Sequence, residues 1–281
     1  MKKIIKSLHK KLYDFKASIV WANQSNRIRV NISSLPSCCE ATDNEVLIIA
    51  PHPDDELIGC FSIIRSQKCT LLYTGLLGHD KDNATVKETR TKEFKMLCKK
   101  CEQLSVAEEP DSWCVRLETI LKTKRIGSIF LPTVIDWHWE HRKVFGDAIN
   151  ILKTSGYLGK IFLYQISVPL PQKLVSCANC YDKRVEQEKW RIFCEIYKSQ
   201  TYMPLKRFYY SDYRYVSDNH MNFAEVFSEM SLIDCLKINQ FTLSKTNELN
   251  AAFSMINNLV SIQKFSDDIY EEFKNETNDW Y

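Results

Sequence analysis

The sequence predicts an α/β fold: Rossmann-like, with a mainly parallel sheet, helices on both faces and a C-terminal helical extension. Three observations carry this. Val46-Leu-Ile-Ile-Ala50 is a short apolar run, largely β-branched, of the kind buried on both faces of a parallel sheet. Strand-like and helix-like patterns then alternate along the chain, as βαβ units require. Finally, 281 residues with only 7 Gly and 8 Pro leave little room for long disordered linkers. That length suits one large domain or two small ones, and either buries enough surface to fold without disulfides or a structural metal.

The elements follow in order. Met1 to Leu12 reads as a basic amphipathic helix in which Lys6, Lys10 and Lys11 break the apolar stretch a signal peptide would need. Packing on its own domain is the favoured reading, and peripheral contact with an anionic membrane the second. Pro51 and Pro53 end the first strand, and Leu57, Ile58, Phe61 and Ile64 recur at helical spacing. Cys69 to Tyr73 is a second strand, closed by Thr74-Gly75, and a charged helix runs from about Thr85 to Cys101. Ile129 to Leu131 is a third strand, followed by a helix over His138 to Leu152, a strand over Ile161 to Ile166 and a helix over Arg184 to Ser199. Leu249, Phe253, Ile256, Leu259 and Val260 fit one long amphipathic helix from Leu249 to Phe273. No internal repeat, low-complexity segment or window of transmembrane length is present.

A net charge of +3, with basic residues scattered rather than blocked, is too small to predict nucleic-acid binding, so no nucleic-acid partner is expected. Eleven cysteines at irregular spacing, including the adjacent Cys38-Cys39, do not make a disulfide framework. With no secretory signal they point to a reducing compartment, so the expected location is cytoplasmic, or peripheral to a membrane. Cys98-x-x-Cys101 and Cys177-x-x-Cys180 have ligand-like spacing, but core thiols are the better reading.

Chemistry concentrates in two places. Pro51-His52-Pro53-Asp54-Asp55-Glu56 follows the first strand directly. An acidic helix cap beside a surface histidine explains one of its carboxylates, not a histidine and both aspartates after a buried strand. Asp136-Trp-His138-Trp-Glu140-His141 follows the third strand, and His138 and His141 share a face at a helix start. Ligands of open α/β sheets bind beyond the carboxyl ends of the strands, which puts loops 51–56, 74–80 and 132–141 on one rim. Two imidazoles, one carboxylate and an open position describe a catalytic zinc site, and ferrous iron suits the same donors. Hydrolysis also needs a base for water, an acid for the leaving group and a donor to the oxyanion.

At these residues the sequence resembles the N-acetylglucosaminyl-phosphatidylinositol deacetylases and their bacterial LmbE-like relatives. Residues 51–56 match the family's (A/P)HPDDE turn, and Asp136, His138, Glu140 and His141 its D-x-H-x-D-H segment, with Glu140 in place of the usual aspartate. Arg90-x-x-Glu93, Tyr197-Lys-Ser-Gln200 and Phe223-Ala-Glu225-Val-Phe227 are weaker echoes, so the likeness spans about residues 45–227. The resemblance implies a deacetylase domain over 45–227, preceded by a helix and lead-in (1–44) and followed by a helical extension packed on it (228–281). It implies His52, Asp55 and His141 as metal ligands, Asp54 as general base and protonated His138 as the oxyanion donor. Asp136 and Glu140 would support them, the change to Glu140 bearing on the tuning of His138. Arg90 would contact substrate, or else pair with Glu88 or Glu93 on its own helix. The implied activity is zinc-dependent removal of acetyl from an N-acetylated sugar. A facial-triad iron oxygenase using His52, Asp54 and His141 is a rival, but such enzymes are usually all-β. A non-catalytic carbohydrate-binding protein is the other. Phe208-Tyr-Tyr210, Tyr213 and Tyr215 could stack on sugar rings, though packing explains such aromatics better.

Overall fold

In the computed structural model, residues 2–38, 45–77, 83–108, 112–217 and 221–278 are described, with side chains from residue 15 onward. The chain runs α1 (Lys2–Arg27), β1 (Val30–Asn31), β2 (Glu45–Ala50), α2 (Asp55–Ser66), β3 (Cys69–Tyr73), α3 (Ala84–Lys100), β4 (Leu104–Ala107), α4 (Trp113–Thr123) and β5 (Ile126–Pro132). It continues through α5 (Trp139–Thr154), β6 (Lys160–Tyr164), β7 (Cys177–Tyr181), α6 (Lys183–Ile196), α7 (Leu205–Tyr213), β8 (Tyr215–Val216), β9 (Phe223–Met230), α8 (Leu232–Ser244), α9 (Thr246–Ala251) and α10 (Leu259–Asn278).

Seven strands form one sheet in the order β4-β3-β2-β5-β6-β9-β7. The first five are mutually parallel, while β9 runs antiparallel to both β6 and β7. This is the expected Rossmann-like, mainly parallel arrangement. Its strands are apolar on both sides because each face is covered: Leu47, Ile49, Ile129 and Leu163 pack into one core, Ile48, Leu71, Phe130 and Phe162 into the other. At about 25 cal/mol per Å² of buried apolar surface, these two layers are the main force assembling the fold.

One expectation needs correction. The helix expected over 249–273 is broken, since α9 passes into a 3-10 turn at Ala252–Met255 and α10 starts afresh at Leu259. Asn258 causes the restart: its Oδ1 accepts from the N–H groups of Val260 and Ser261 (3.2 and 3.1 Å), a helix cap that the apolar spacing conceals. Phe253, assigned to the buried stripe, is 55% exposed. The cysteine pairs pack into the cores, in line with the favoured reading, and do not meet as a metal site. Cys177 and Cys180 sit three apart on a strand, so they pack into opposite cores, and among the described residues no cysteine joins a group of three metal-binding side chains.

The N-terminal helix packs on α7 and α10 through Ser18, Trp21 and Ser25, with Trp21 Nε1 donating to the Asn257 carbonyl (3.0 Å). Among the described residues, no helix is long and apolar enough to cross a membrane.

Helix α2 carries the first motif into place, and it is bent. Cys60 leaves helical geometry (φ −136°, ψ 24°), which frees the N–H groups of Phe61 and Ser62. The Glu225 carboxylate accepts both, at 3.0 and 2.7 Å, and Lys189 Nζ donates to the Ile58 carbonyl at 2.7 Å. Lys189, wholly buried, also bridges Asp212 (2.9 Å) and Glu225 (2.8 Å). Gly59 fits at the bend because the Tyr164 ring occupies the place of a side chain: a Cβ there would lie 2.3 Å from Tyr164 Cδ2.

Two stability predictions follow from this bend. Gly59→Ala is expected to cost about 1–3 kcal/mol in urea unfolding, through displacement of Tyr164. Lys189→Met is expected to cost about 3–5 kcal/mol, because it strands two buried carboxylates. Unchanged midpoints would disprove each.

Candidate active site

The two motifs meet at the carboxyl ends of β2 and β5. Thr74 fixes the first turn from the neighbouring strand, its N–H on the Ala50 carbonyl (3.1 Å) and its Oγ1 on that of Pro51 (3.1 Å). Asp54 holds φ at 136°, a region non-glycine residues rarely occupy and that costs of order 1–3 kcal/mol. Its carbonyl accepts the first bonds of α2, from Leu57 and Ile58 N–H (3.1 and 2.9 Å), and its own N–H donates to Glu56 Oε2 (3.2 Å). Full burial pushes the Glu56 carboxyl up to about 7, although the hydroxyl of Tyr197, which donates to it, opposes the shift.

Three donor atoms form a near-equilateral triangle. His52 Nδ1 lies 3.3 Å from Asp55 Oδ2, His141 Nε2 lies 3.4 Å from the same oxygen, and the two nitrogens are 3.2 Å apart. Donors about 2.1 Å from a common tetrahedral centre are separated by about 3.4 Å, so this donor set fits one zinc-sized cation. The far nitrogens are held as well. His52 Nε2 faces Glu140 Oε2 at 2.7 Å and His141 Nδ1 faces Asp136 Oδ2 at 3.1 Å. With a cation bound, each carboxylate would hold the ring proton on the outer nitrogen and leave an inner lone pair for the triangle. His138 offers a third imidazole, within 4.8 Å of the other two.

Glu140 therefore does something the sequence did not disclose. Its carboxylate is bonded to His52 and lies 3.9 Å from His138 Nδ1, so its principal partner is His52 and not the neighbouring His138. Asp136 does double service, Oδ1 accepting from the His138 N–H (2.8 Å) at the start of α5. The carboxylate shared by both imidazoles belongs to Asp55, not to the Asp54 that a facial triad would use.

The charge balance suits a cation. Burial opposes protonation of His141, yet the charges of Asp55 and Asp136 raise it to about 10. His52 is raised too, against burial, by Asp55 and Glu140. Burial also disfavours the Asp55 charge, but His141 and His52 hold its carboxyl below the usual range. Asp54 goes the other way: burial and the Asp55 charge raise it well above an ordinary aspartate, with Arg90 opposing.

A cavity of about 260 Å³ opens over this cluster, with His52, Asp54, Asp55, His138 and His141 in its floor. Arg90 lines it, and among the described residues Arg90 makes no ion pair with Glu88 or Glu93, so the helical pairing does not form. Glu93 instead accepts from the N–H and hydroxyl of Ser199 (2.9 and 2.5 Å), which joins two of the weaker motif echoes. Trp137, Gln200, Tyr202 and Phe208 complete the walls. Of the aromatic cluster only Phe208 reaches the cavity, while Tyr209 and Tyr213 pack on Phe223. The Lys189 network was missed entirely, although Lys189 falls on the buried stripe of α6 with Glu186, Ile192 and Phe193.

No family model matches the sequence, and no curated protein does. Solved structures do resemble it. A deacetylase triple mutant from the teicoplanin biosynthetic pathway superposes with a TM-score of 0.52 at 12% identity, over 66% of this chain and 97% of that one. The A40926 pseudoaglycone deacetylase gives a TM-score of 0.50 at 13% identity, over 67% and 97%. The likeness is one of fold.

If the carboxylate–imidazole pairs set the inner lone pairs, Glu140→Gln should weaken zinc binding about 10–100-fold in a chelator competition assay. Wild-type affinity in that variant would leave Glu140 without this role.

Proposed function

We propose that this protein is a divalent-metal-dependent N-deacetylase that removes the acetyl group from an N-acetylated sugar or glycoconjugate. The observation that carries the reading is the triangle of His52, Asp55 and His141 beneath a cavity that also holds a free-standing carboxylate and a third imidazole. Support comes from the two solved structures of this fold, both of which are called deacetylases.

His52, Asp55 and His141 would hold the cation. A bound divalent ion supplies Lewis acidity, bringing the pKa of a water ligand from about 15.7 toward about 7. Asp54, its carboxyl raised by burial and by Asp55, takes a proton from water and can return it to the departing amine. His138, in the cavity floor, is placed to donate to the oxygen that becomes negative as the carbonyl turns tetrahedral. Arg90 faces the same space and contacts the sugar. A volume of about 260 Å³ takes one acetamido sugar, and whatever it is attached to must extend past Trp137 and Tyr202. The metal is zinc or ferrous iron, and the setting a step in glycoconjugate assembly.

The experiment is acetate release from a panel of N-acetylated mono- and disaccharides, with enzyme loaded with zinc or iron. Asp54→Ala should lower kcat about 10²–10⁴-fold with its metal retained, whereas Asp55→Asn should lose the metal itself. Full activity in Asp54→Ala would remove the proposed base, and acetate release unaffected by a chelator would sink the metal-dependent reading.

A further inference from the structure

We infer that Tyr197 and Glu56 are positioning residues that aim the carboxylate of Asp54. The inference deepens the proposed function and rests on its assignment of Asp54 as the base. Asp54 is buried in the cavity floor, and among the described residues no hydrogen bond reaches its carboxylate. Its aim is therefore set through its backbone, which stands at φ 136°. Asp54 is one of two non-glycine residues with positive φ among those described. A conformation of this kind persists only where the surroundings hold it.

What holds it is Glu56. The two carboxylate oxygens have separate tasks: Oε2 accepts the Asp54 N–H at 3.2 Å, and Oε1 accepts the Tyr197 hydroxyl. A glutamate in the first helical turn commonly accepts the N–H of the capping residue from three positions on. Here Asp54 caps α2 and Glu56 answers from two positions on, inside the protein, since Glu56 and Tyr197 are both wholly buried. At that depth no water replaces a lost partner. The Tyr197 hydroxyl thus fixes Glu56, and Glu56 fixes the peptide that carries Asp54.

Tyr197 is itself held from two helices. Its N–H donates to the Phe193 carbonyl of α6 (2.8 Å), and its carbonyl accepts the Gln200 N–H (3.0 Å). Between them, Ser199 donates through its N–H and hydroxyl to Glu93 of α3. Arg90 lies one turn earlier on α3, and both Arg90 and Gln200 line the cavity. One short segment, 197–200, therefore supports the base in the floor through its first residue and forms part of the wall through its last.

The test compares Tyr197→Phe, Glu56→Ala and Glu56→Gln in zinc-loaded enzyme, by acetate release, chelator competition and crystallography. Glutamine can keep the brace, its amide oxygen accepting from Asp54 and its amide nitrogen donating to the Tyr197 oxygen. Glu56→Ala should lower kcat about 10²-fold and Tyr197→Phe about tenfold, with KM and zinc affinity within about threefold of wild type. Glu56→Gln should recover about tenfold of the alanine loss. In crystals Asp54 should leave its positive φ in Glu56→Ala and keep it in Glu56→Gln. Circular dichroism checks folding, and Tyr197→Phe carries the comparison should Glu56→Ala fail to fold. An Asp54 backbone unmoved in Glu56→Ala, a glutamine variant no better than alanine, or a fall in kcat matched by loss of zinc overturns the inference. A wild-type protein that releases no acetate from any substrate sinks the deacetylase reading instead, and the Asp54 geometry in the variants still decides the brace.

Discussion

The chemistry of this molecule depends on which nitrogens of two histidines carry protons. Left to solvent, His52 and His141 would exchange tautomers freely, and two imidazole nitrogens 3.2 Å apart would share a proton or separate. Glu140 and Asp136 remove that freedom from the outside. By accepting at the outer nitrogens they turn the inner nitrogens toward the Asp55 carboxylate, an arrangement that calls for positive charge among them, carried by protons or by a cation. The buried carboxylates Asp54, Asp136 and Glu140 surround the triangle that Asp55 completes, whereas Arg90 is the one permanent cation in the cavity wall among the described residues. Electrostatic deficit and donor geometry therefore point the same way.

Holding the triangle is a task for the whole sheet. One imidazole and the shared carboxylate come from the turn after β2, the other imidazole from the start of α5 after β5, and these strands are adjacent and parallel. A shift of one strand by one residue would carry the motifs apart and turn their side chains to the wrong faces. The bend in α2 adds a second control. Straight helical bonding would pair Ser62 N–H with the Ile58 carbonyl; here Glu225 takes the former and Lys189 the latter. The buried ion pairs thus specify a shape at least as much as they add stability, since their desolvation offsets much of their Coulomb attraction.

Much of this was legible in the chain. The β2 run, the turn 51–56 and the helix after His138 stood out because local sequence and global fold agree there. What stayed hidden depended on partners remote in sequence. Nothing in Glu140 by itself says that it reaches His52, 88 residues earlier. The antiparallel strand β9 lacks the apolar continuity of β2, because Glu225 is buried on it to accept the freed N–H groups of α2. The break before α10 was misread because apolar spacing continues across it, while the deciding feature, the Asn258 cap, is a single polar side chain. Lys189 shows the converse. A charged residue on an otherwise buried helical stripe is a visible signal that an ion pair waits opposite, even when its partners cannot be named.

The C-terminal elements look peripheral to the sheet but are joined to the site by specific bonds. Arg142, one residue beyond His141, donates to the Asp136 and Trp137 carbonyls and to Asn250 Oδ1 (2.7 Å). Arg207, on the helix that supplies Phe208 to the cavity, donates to the Ile256 carbonyl (2.5 Å) and to that of Ser167 (2.5 Å), itself a lining residue. The segment between α9 and α10 is therefore pinned from both sides of the cavity, with Phe253 against Trp137 between them. The donor triangle is set at the ends of the parallel strands, where a small displacement would pull its three atoms apart. The outer wall is assembled from loops and helix ends, where sequence can change without disturbing the ligands. Under the proposed function, this separation would let reaction and recognition change independently, because they are built on different layers.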